Sequence, residues 1–117
     1  MYHVFLDFEM NPIAADQRQY DDPVRHEIIE IGAVKLDENY QLTDRYDKFV
    51  KPERNTITKK ITSLTGITQE DVENAPVLAD ALLDFAQWIG EGPVRIYSWS
   101  ISDFNQLYGE CWLKELD

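Results

Sequence analysis

The chain has 117 residues, of which 22 are acidic and 11 basic, and its formal net charge is −11. Apolar residues make up 44% and aromatic residues 12%, which excludes a disordered, collagen-like or coiled-coil protein. No apolar run approaches the roughly 18 residues that a membrane span needs. A single cysteine and two histidines exclude an internal disulfide and a structural zinc cage. We therefore expect one domain over residues 1–117, without membrane contact and in the cytoplasm.

Four strands are predicted in chain order. The apolar run at residues 4–6 is typical of a central strand that is covered on both faces. Residues 11–25 are polar and contain two prolines, so we expect a long loop there. Residues 26–36 and 45–50 come next as β-rich segments and predict a hairpin beside the first strand. A short strand is expected at residues 94–97.

Apolar periodicity predicts the helices that complete an α/β domain with a mixed sheet. A short helix should end near Gly66, and Thr68 with Asp71 predicts a second, capped turn. The clearest helix should begin near Pro76 and end at Gly90 and Gly92, with one apolar stripe formed by Leu78, Ala81, Leu82, Phe85, Trp88 and Ile89. Ser102 should cap a last helix, whose apolar face would consist of Phe104, Leu107, Tyr108, Cys111 and Leu116.

The carboxylates of Asp7 and Glu9 are the strongest candidates for chemistry. Residues two apart in a strand point to the same face, so both groups can converge on a divalent cation while Phe8 points into the opposite core. The excess of acid argues against binding nucleic acid by charge alone but is compatible with such a site. Ordinary solvated carboxylates remain the alternative, because an acidic chain contains several pairs at this spacing by chance.

Four further polar residues have two open interpretations. Asp103 comes after the short strand and could join Asp7 and Glu9, or it could simply be a helix-capping acid. Glu30 could be a buried group near the site, but exposure on an edge strand is the favoured interpretation. His3 and His26 flank strands, and surface or packing roles are favoured for both over catalysis.

Two groups of side chains could contact nucleic acid. The first group is aromatic and could stack on bases; it comprises Tyr97, Trp99, Phe104, Tyr108 and Trp112. Packing in the core is the favoured interpretation for most of these side chains, whereas both interpretations stay open for Trp99. The second is basic and could contact phosphates, with a solvated surface as the alternative; it comprises Lys48, Lys51, Arg54, Lys59 and Lys60.

Read together, these segments resemble the DEDD superfamily of 3′–5′ exonucleases, which includes ribonuclease T, oligoribonuclease and polymerase proofreading subunits. Residues 7–9 (DFE) resemble its first motif, and residues 27–34 (EIIEIGAV) resemble its second strand. Residues 64–68 (LTGIT), with Ala75 and Pro76 after them, match a further pattern, and residues 97–107 (YSWSISDFNQL) resemble its second motif. The likeness covers the whole chain in order and is nearest the Eri-type and sporulation-inhibitor-like branch.

The resemblance implies a ribonuclease H-like fold and a two-metal site for Mg²⁺ or Mn²⁺ that acts on the 3′ end of single-stranded nucleic acid. Asp7 would bridge both ions, Glu9 would hold the ion that carries the attacking water, and Asp103 would hold the other. The terminal nucleotide would contact a set of five residues: Phe8, Met10, Leu64, Thr65 and Gly66.

The sequence departs from the family in one respect. The third motif, a histidine with an aspartate five residues later, is missing, because Phe8 stands at that distance from His3 and Ile31 from His26. The resemblance therefore implies an N-terminal exonuclease portion that is truncated after the helix carrying Asp103 and impaired in cleavage. A non-catalytic regulatory module that binds nucleic acid or protein is the alternative. An exposed sheet edge would also invite homodimerisation or strand exchange.

Overall fold

The computed structural model describes residues 1–17, 24–98 and 101–114. Within these ranges the chain forms four strands, one short 3₁₀ helix and four α-helices. The strands are β1 (Tyr2–Pro12), β2 (His26–Leu36), β3 (Leu42–Phe49) and β4 (Val94–Tyr97), with the 3₁₀ helix at Ala15–Gln17. The helices are α1 (Lys59–Thr65), α2 (Gln69–Glu73), α3 (Leu78–Ile89) and α4 (Ile101–Leu113).

The strands form one mixed sheet in the order β3-β2-β1-β4. Strand β2 is antiparallel to both β1 and β3, whereas β4 runs parallel to β1 and pairs Tyr97 with Phe5. The predicted mixed sheet and the hairpin beside the first strand are therefore confirmed. Strand β1 lies inside the sheet, between β2 and β4.

One face of the sheet carries the main core. Val4, Leu6 and Phe8 of β1 are buried there together with Ile31 of β2, and α3 packs on them through its predicted apolar stripe. The opposite face is open in the middle of β1, where Phe5 is 40% exposed and Asp7 is exposed, although His3 and Asn11 near the strand ends are buried. The expectation of a strand covered on both faces is thus wrong at Phe5, because its side chain lies on this open part of the sheet.

Local capping signals fix the short helices. Thr58 caps α1 by accepting from the Ile61 N–H, and Gly66 ends this helix with a φ of 81°, a left-handed conformation that glycine adopts at no steric cost. Thr68 and Asp71 form the predicted capping box of α2. Pro76 precedes α3 by two residues instead of opening it, because Val77 is the N-cap.

Strand β1 is longer than expected and continues through Asn11 and Pro12, so the predicted loop begins later; residues 18–23 of that loop lie outside the described ranges. A β-bulge separates the two ends of the β1–β2 ladder. Glu9 pairs with Glu30 and Met10 pairs with Ile28, which leaves Ile29 as the extra residue of β2. Ile29 is fully buried in a second, smaller core together with Ile67 and Val72.

The last helix differs most from its prediction. It begins at Ile101, which places Ser102 in its first turn and not at the cap. Its buried side consists of Asp103, Gln106 and Glu110, whereas Tyr108 is 70% exposed. The predicted apolar face is therefore wrong for Tyr108, whereas Leu107 of that face packs against the main core. The fully buried side is polar because Gln106 and Glu110 find partners on β2. Leu116 lies outside the described residues.

Candidate active site

Strand β1 presents Asp7 and Glu9 on the open face of the sheet. Phe8 between them is only 4% exposed and packs in the core, as the strand alternation predicts. Asp7 is exposed and Glu9 is half-buried. Both carboxylates thus lie on one side of one strand, in the middle of β1.

A groove of about 460 Å³ runs along this open face. Its walls include side chains of three strands, namely Phe5, Asp7, Glu9, Glu30, Arg45 and Asp47. Gly32 lies opposite Asp7 in the ladder, and a Cβ placed there would be 3.8 Å from the Asp7 carbonyl oxygen. The missing side chain leaves the floor of the groove open beside Asp7.

The third carboxylate, Asp103, reaches the site from α4. Strand β4 is parallel to β1, so the chain that leaves β4 emerges near the middle of β1, where Asp7 lies. Asp103 is 6% exposed. Burial raises the pKa of its carboxyl group, and the negative charge of Asp7 raises it further. The structure therefore brings Asp103 within electrostatic reach of Asp7.

Glu30 belongs to the same acidic group. The expectation of an exposed residue on an edge strand is wrong, because β3 covers the outer side of β2 and Glu30 faces Glu9 across the ladder. Burial, a hydrogen bond with Asp47 and the charges of Asp47, Glu9 and Asp7 raise the pKa of Glu30 to about 7. The pKa of Glu9 is likewise raised by burial and by Asp7.

The donor chemistry of this group suits a hard divalent cation, since Asp7, Glu9 and Asp103 offer only carboxylate oxygens. Burial, and after it the negative charge of Asp7, raises the pKa of both Glu9 and Asp103, and a bound cation would neutralise these charges. Within the described ranges, no three histidine, cysteine, aspartate or glutamate side chains are arranged to hold a metal ion. The donors fit by chemistry, and a bound ion would have to draw them together.

The residues expected to contact a nucleotide are divided between the core and the surface. Phe8 is buried, and Met10 is half-buried against the core. Leu64 is 71% exposed at the end of α1, next to Thr65 and the capping Gly66. The structure therefore groups Leu64, Thr65 and Gly66 at one surface turn, apart from the Phe8 side chain.

Asn11 ties α1 to the strand that carries the carboxylates. It is fully buried on the same side of β1 as Asp7 and Glu9. Its side chain donates to the Thr56 carbonyl oxygen at 3.1 Å and accepts from the Thr58 N–H at 3.0 Å. Thr58 is the N-cap of α1, so the surface turn at Leu64 belongs to an element anchored beside the acidic group.

The two histidines have packing or surface positions, as favoured from the sequence. His3 is 7% exposed, stacks on Tyr40 with ring centroids 4.4 Å apart, and has its Nδ1 3.0 Å from the Tyr97 hydroxyl. His26 is exposed, and its carbonyl oxygen accepts from Gln106. Neither imidazole lines the groove beside Asp7.

The aromatic and basic groups are dispersed. Tyr97 stacks on Phe5 with ring centroids 4.6 Å apart, and Phe104 is half-buried. The prediction of core packing is wrong for Tyr108 and Trp112, whose side chains are 70% and 68% exposed. Trp99 lies outside the described residues. Among the basic residues, Lys48 pairs with Asp84 at 2.9 Å and Lys51 with Glu73 at 3.9 Å. Arg54 lies between β3 and α1, and Lys59 and Lys60 are the first two residues of α1.

Sequence reasoning missed a buried ionic cluster formed by Glu27, Glu110 and Lys114. Glu27 and Glu110 are fully buried, and Lys114 contacts both at 2.8 Å. The spacing of Glu110 and Lys114, four residues apart on one helix, is the signal that could have indicated the pair. Nothing local points to Glu27, which lies in a different element.

Comparison with known proteins identifies relatives of this domain. Residues 4–109 match the RNase T family model, whose description is exonuclease. A PolC-type DNA polymerase III of Thermotoga maritima is 33% identical over 113 residues, which are 97% of this chain and 7% of that protein. The PolC-type polymerase of Clostridium perfringens is 44% identical over 63 residues, or 54% of this chain and 4% of that protein. The chain thus spans a small fraction of these relatives.

Solved structures share the fold. The nuclease domain of 3′hExo, a DEDDh family member bound to rAMP, superposes with a TM-score of 0.80 at 26% identity, over 99% of this chain and 60% of that one. Exonuclease I of E. coli, in complex with a dT13 oligonucleotide, gives 0.73 at 13% identity, over 99% of this chain and 24% of that one. The predicted ribonuclease H-like fold is therefore confirmed. No described helix combines the length and apolar character needed to cross a membrane.

Proposed function

Because this chain belongs to the RNase T exonuclease family, within the DEDD superfamily of 3′–5′ exonucleases, we propose that it hydrolyses single-stranded RNA or DNA from the 3′ end to nucleoside 5′-monophosphates. One observation carries the proposal. Asp7 and Glu9 of β1 line one open groove, and Asp103 of α4, from the opposite end of the chain, is buried within electrostatic reach of Asp7.

Asp7, Glu9 and Asp103 would hold the cations. Carboxylate oxygens are suitable ligands for Mg²⁺ or Mn²⁺. Two such ions, when bound, supply a water activated for attack and charge stabilisation for the leaving 3′ oxygen. Burial, and after it the charge of Asp7, raises the pKa of both other carboxyl groups, which supports a position of Asp7 near each of them. We accordingly assign Asp7 the bridging role and give one ion each to Glu9 and Asp103.

The terminal nucleotide would lie between the carboxylates and the turn after α1. Leu64 offers an exposed apolar side chain for a base, and Thr65 and Gly66 come directly after it. Met10 would contribute the edge of its half-buried side chain. Since the side chain of Phe8 is buried, we assign Phe8 a contact through its backbone only.

We further propose that cleavage by these 117 residues is slow. They contain no histidine with an aspartate five residues later, so the general base and the fourth carboxylate of the family pattern are missing. A general base contributes about 10²–10⁴-fold to such reactions, and we expect a deficit of that order.

A non-catalytic module that binds nucleic acid or protein is the second candidate. It is favoured by the lack of any three-residue metal-binding group among the described histidine, cysteine, aspartate and glutamate side chains. Such a module would retain oligonucleotide or partner binding, but it would neither bind Mn²⁺ through Asp7 nor cleave.

The decisive experiment combines Mn²⁺ titration by calorimetry with a cleavage assay on a 5′-labelled single-stranded oligonucleotide. Asp7→Asn should abolish Mn²⁺ binding and any stepwise shortening from the 3′ end, whereas the exposed Asp80→Asn should change neither. Oligonucleotide binding without Mn²⁺ binding would support the module instead. Turnover at ordinary enzyme rates would contradict the proposed deficit.

Two further aspects of the proposal concern assembly and location. Strand β4 is an edge strand with Ile96 41% exposed, which supports homodimerisation or strand exchange through this edge. A monodisperse monomer in light scattering would contradict it. The single Cys111 supports a reducing compartment such as the cytoplasm.

A further inference from the structure

The polar side of α4 holds this helix against the sheet. Asp103, Gln106 and Glu110 are spaced by three and four residues, so they share one helix face, and all three are buried. The opposite side exposes Tyr108 and Trp112. Leu107 packs against the main core, and the polar contacts along the buried face add to this contact in holding α4.

These polar contacts converge on one ammonium group. Lys114 Nζ lies 2.8 Å from Glu27 Oε2, 2.8 Å from Glu110 Oε2 and 3.3 Å from Glu53 Oε1. Glu27 and Glu110 are both fully buried, and the Lys114 side chain is 9% exposed. Each buried carboxylate thus depends on the same lysine for charge compensation.

The two carboxylates also bind backbone. Glu110 Oε1 accepts from the Ile28 N–H at 2.8 Å, at the start of β2. Glu27 accepts from the N–H groups of Glu53 and Arg54, both at 2.8 Å, in the segment after β3. The cluster therefore joins three parts of the chain: the beginning of β2, the segment after β3 and the end of α4.

We propose that Lys114 and Glu110 are positioning residues that keep Asp103 beside Asp7. Glu110 lies seven residues beyond Asp103 on the same helix, two turns or about 10 Å away, and neither Glu110 nor Lys114 lines the groove. The bonds from Lys114 to Glu27 and from Glu110 to Ile28 fix the distance of α4 from β2. Because an α-helix is rigid over two turns, this distance sets where Asp103 stands relative to β1.

This inference rests on the proposed function, since it matters for catalysis only if Asp103 holds a cation. Partners that orient metal ligands typically change metal affinity by about 10- to 100-fold when removed. We therefore expect Lys114→Met to weaken Mn²⁺ binding by at least about tenfold. Lys114→Arg, which retains the charge, should restore affinity to within about threefold of the unaltered chain.

A spectroscopic readout separates positioning from general loss of structure. Bound Mn²⁺ should broaden the amide NMR signals of both Glu9 and Asp103 in the unaltered chain. In Lys114→Met, the Asp103 signal should need about tenfold more Mn²⁺, whereas broadening at Glu9 on β1 should persist. Lys48→Met, which breaks the exposed pair with Asp84, is the matched control and should change neither signal.

Hydrogen exchange of residues 101–107 gives a test without metal. Lys114→Met should speed exchange there while β1 stays protected; if this variant does not fold, Glu110→Gln replaces it, with the same expectations. Unchanged exchange and Mn²⁺ affinity within twofold in a folded variant would overturn the inference. If Asp7→Asn retains full Mn²⁺ binding, the proposed function fails, and the exchange result alone then decides whether the cluster positions Asp103.

Discussion

Glu30 should destabilise the metal-free protein at neutral and alkaline pH. Its pKa is raised from the ordinary 4.5 to about 7, first by burial and then by Asp47, Glu9 and Asp7. At about 1.36 kcal/mol per pH unit, this difference corresponds to about 3.4 kcal/mol. Solvent reaches part of the groove and screens the charges, so we expect a net cost of about 1–2 kcal/mol.

The sign of the effect comes from proton binding in the two states. Below about pH 4 the group is protonated whether the chain is folded or unfolded, and it contributes nothing. Between about pH 4.5 and 7 the folded state keeps a proton that the unfolded state releases, so stability falls as the pH rises. Above about pH 7 the carboxylate is charged in both states and its full cost is present.

Glu30→Gln removes this cost, because the amide is neutral and can still donate a hydrogen bond to Asp47. Urea denaturation in the presence of a chelator should show the variant to be more stable by about 1–2 kcal/mol at pH 8 and indistinguishable near pH 4. The exposed Glu91→Gln should stay within about 0.5 kcal/mol at both values. An equal effect at the two pH values, or a loss of stability at pH 8, would refute this reasoning.

Three other substitutions test the packing that positions the site. Phe85→Ala, in the core under β1, should lower the free energy of unfolding by about 3–5 kcal/mol in urea, whereas Leu83→Ala on the exposed side of α3 should cost less than about 0.5. Lys35→Met removes two hydrogen bonds to the last carbonyls of α3 and should cost about 1.5–3 kcal/mol, with faster hydrogen exchange at that end. Asn11→Ala leaves the Thr58 N–H without its acceptor, so we expect the free energy of unfolding to fall by about 1–3 kcal/mol. Amide hydrogen exchange should become faster in α1 alone, and a uniform increase across the chain would contradict this prediction.

Much of the fold could be predicted because its signals are local. The bounds of β2 and β4 agree with the branched apolar runs at residues 26–36 and 94–97. The capping box at Thr68 and the left-handed Gly66 arise from short-range hydrogen bonding and steric freedom. Strand alternation alone put Asp7 and Glu9 on one face, since that period is a property of the backbone.

Predictions failed where a residue's surroundings come from distant parts of the chain. Glu30 looked like an edge residue, yet β3 pairs outside it and Glu9 lies across from it. Apolar periodicity marks one face of α4, but it does not say which neighbour covers that face. Tyr108 stays exposed because the helix docks instead through Glu110.

By itself, then, the sequence determined the elements, the mixed α/β class and the carboxylate pair of β1, all of which depend on residues close together in the chain. Tertiary structure decided that Asp103 lies within electrostatic reach of Asp7 and that Glu30 joins the acidic group. It also decided that Glu110 bonds to Ile28, 82 positions away. Such buried charges are stable only where a partner from another element compensates them, and no local pattern encodes that partner.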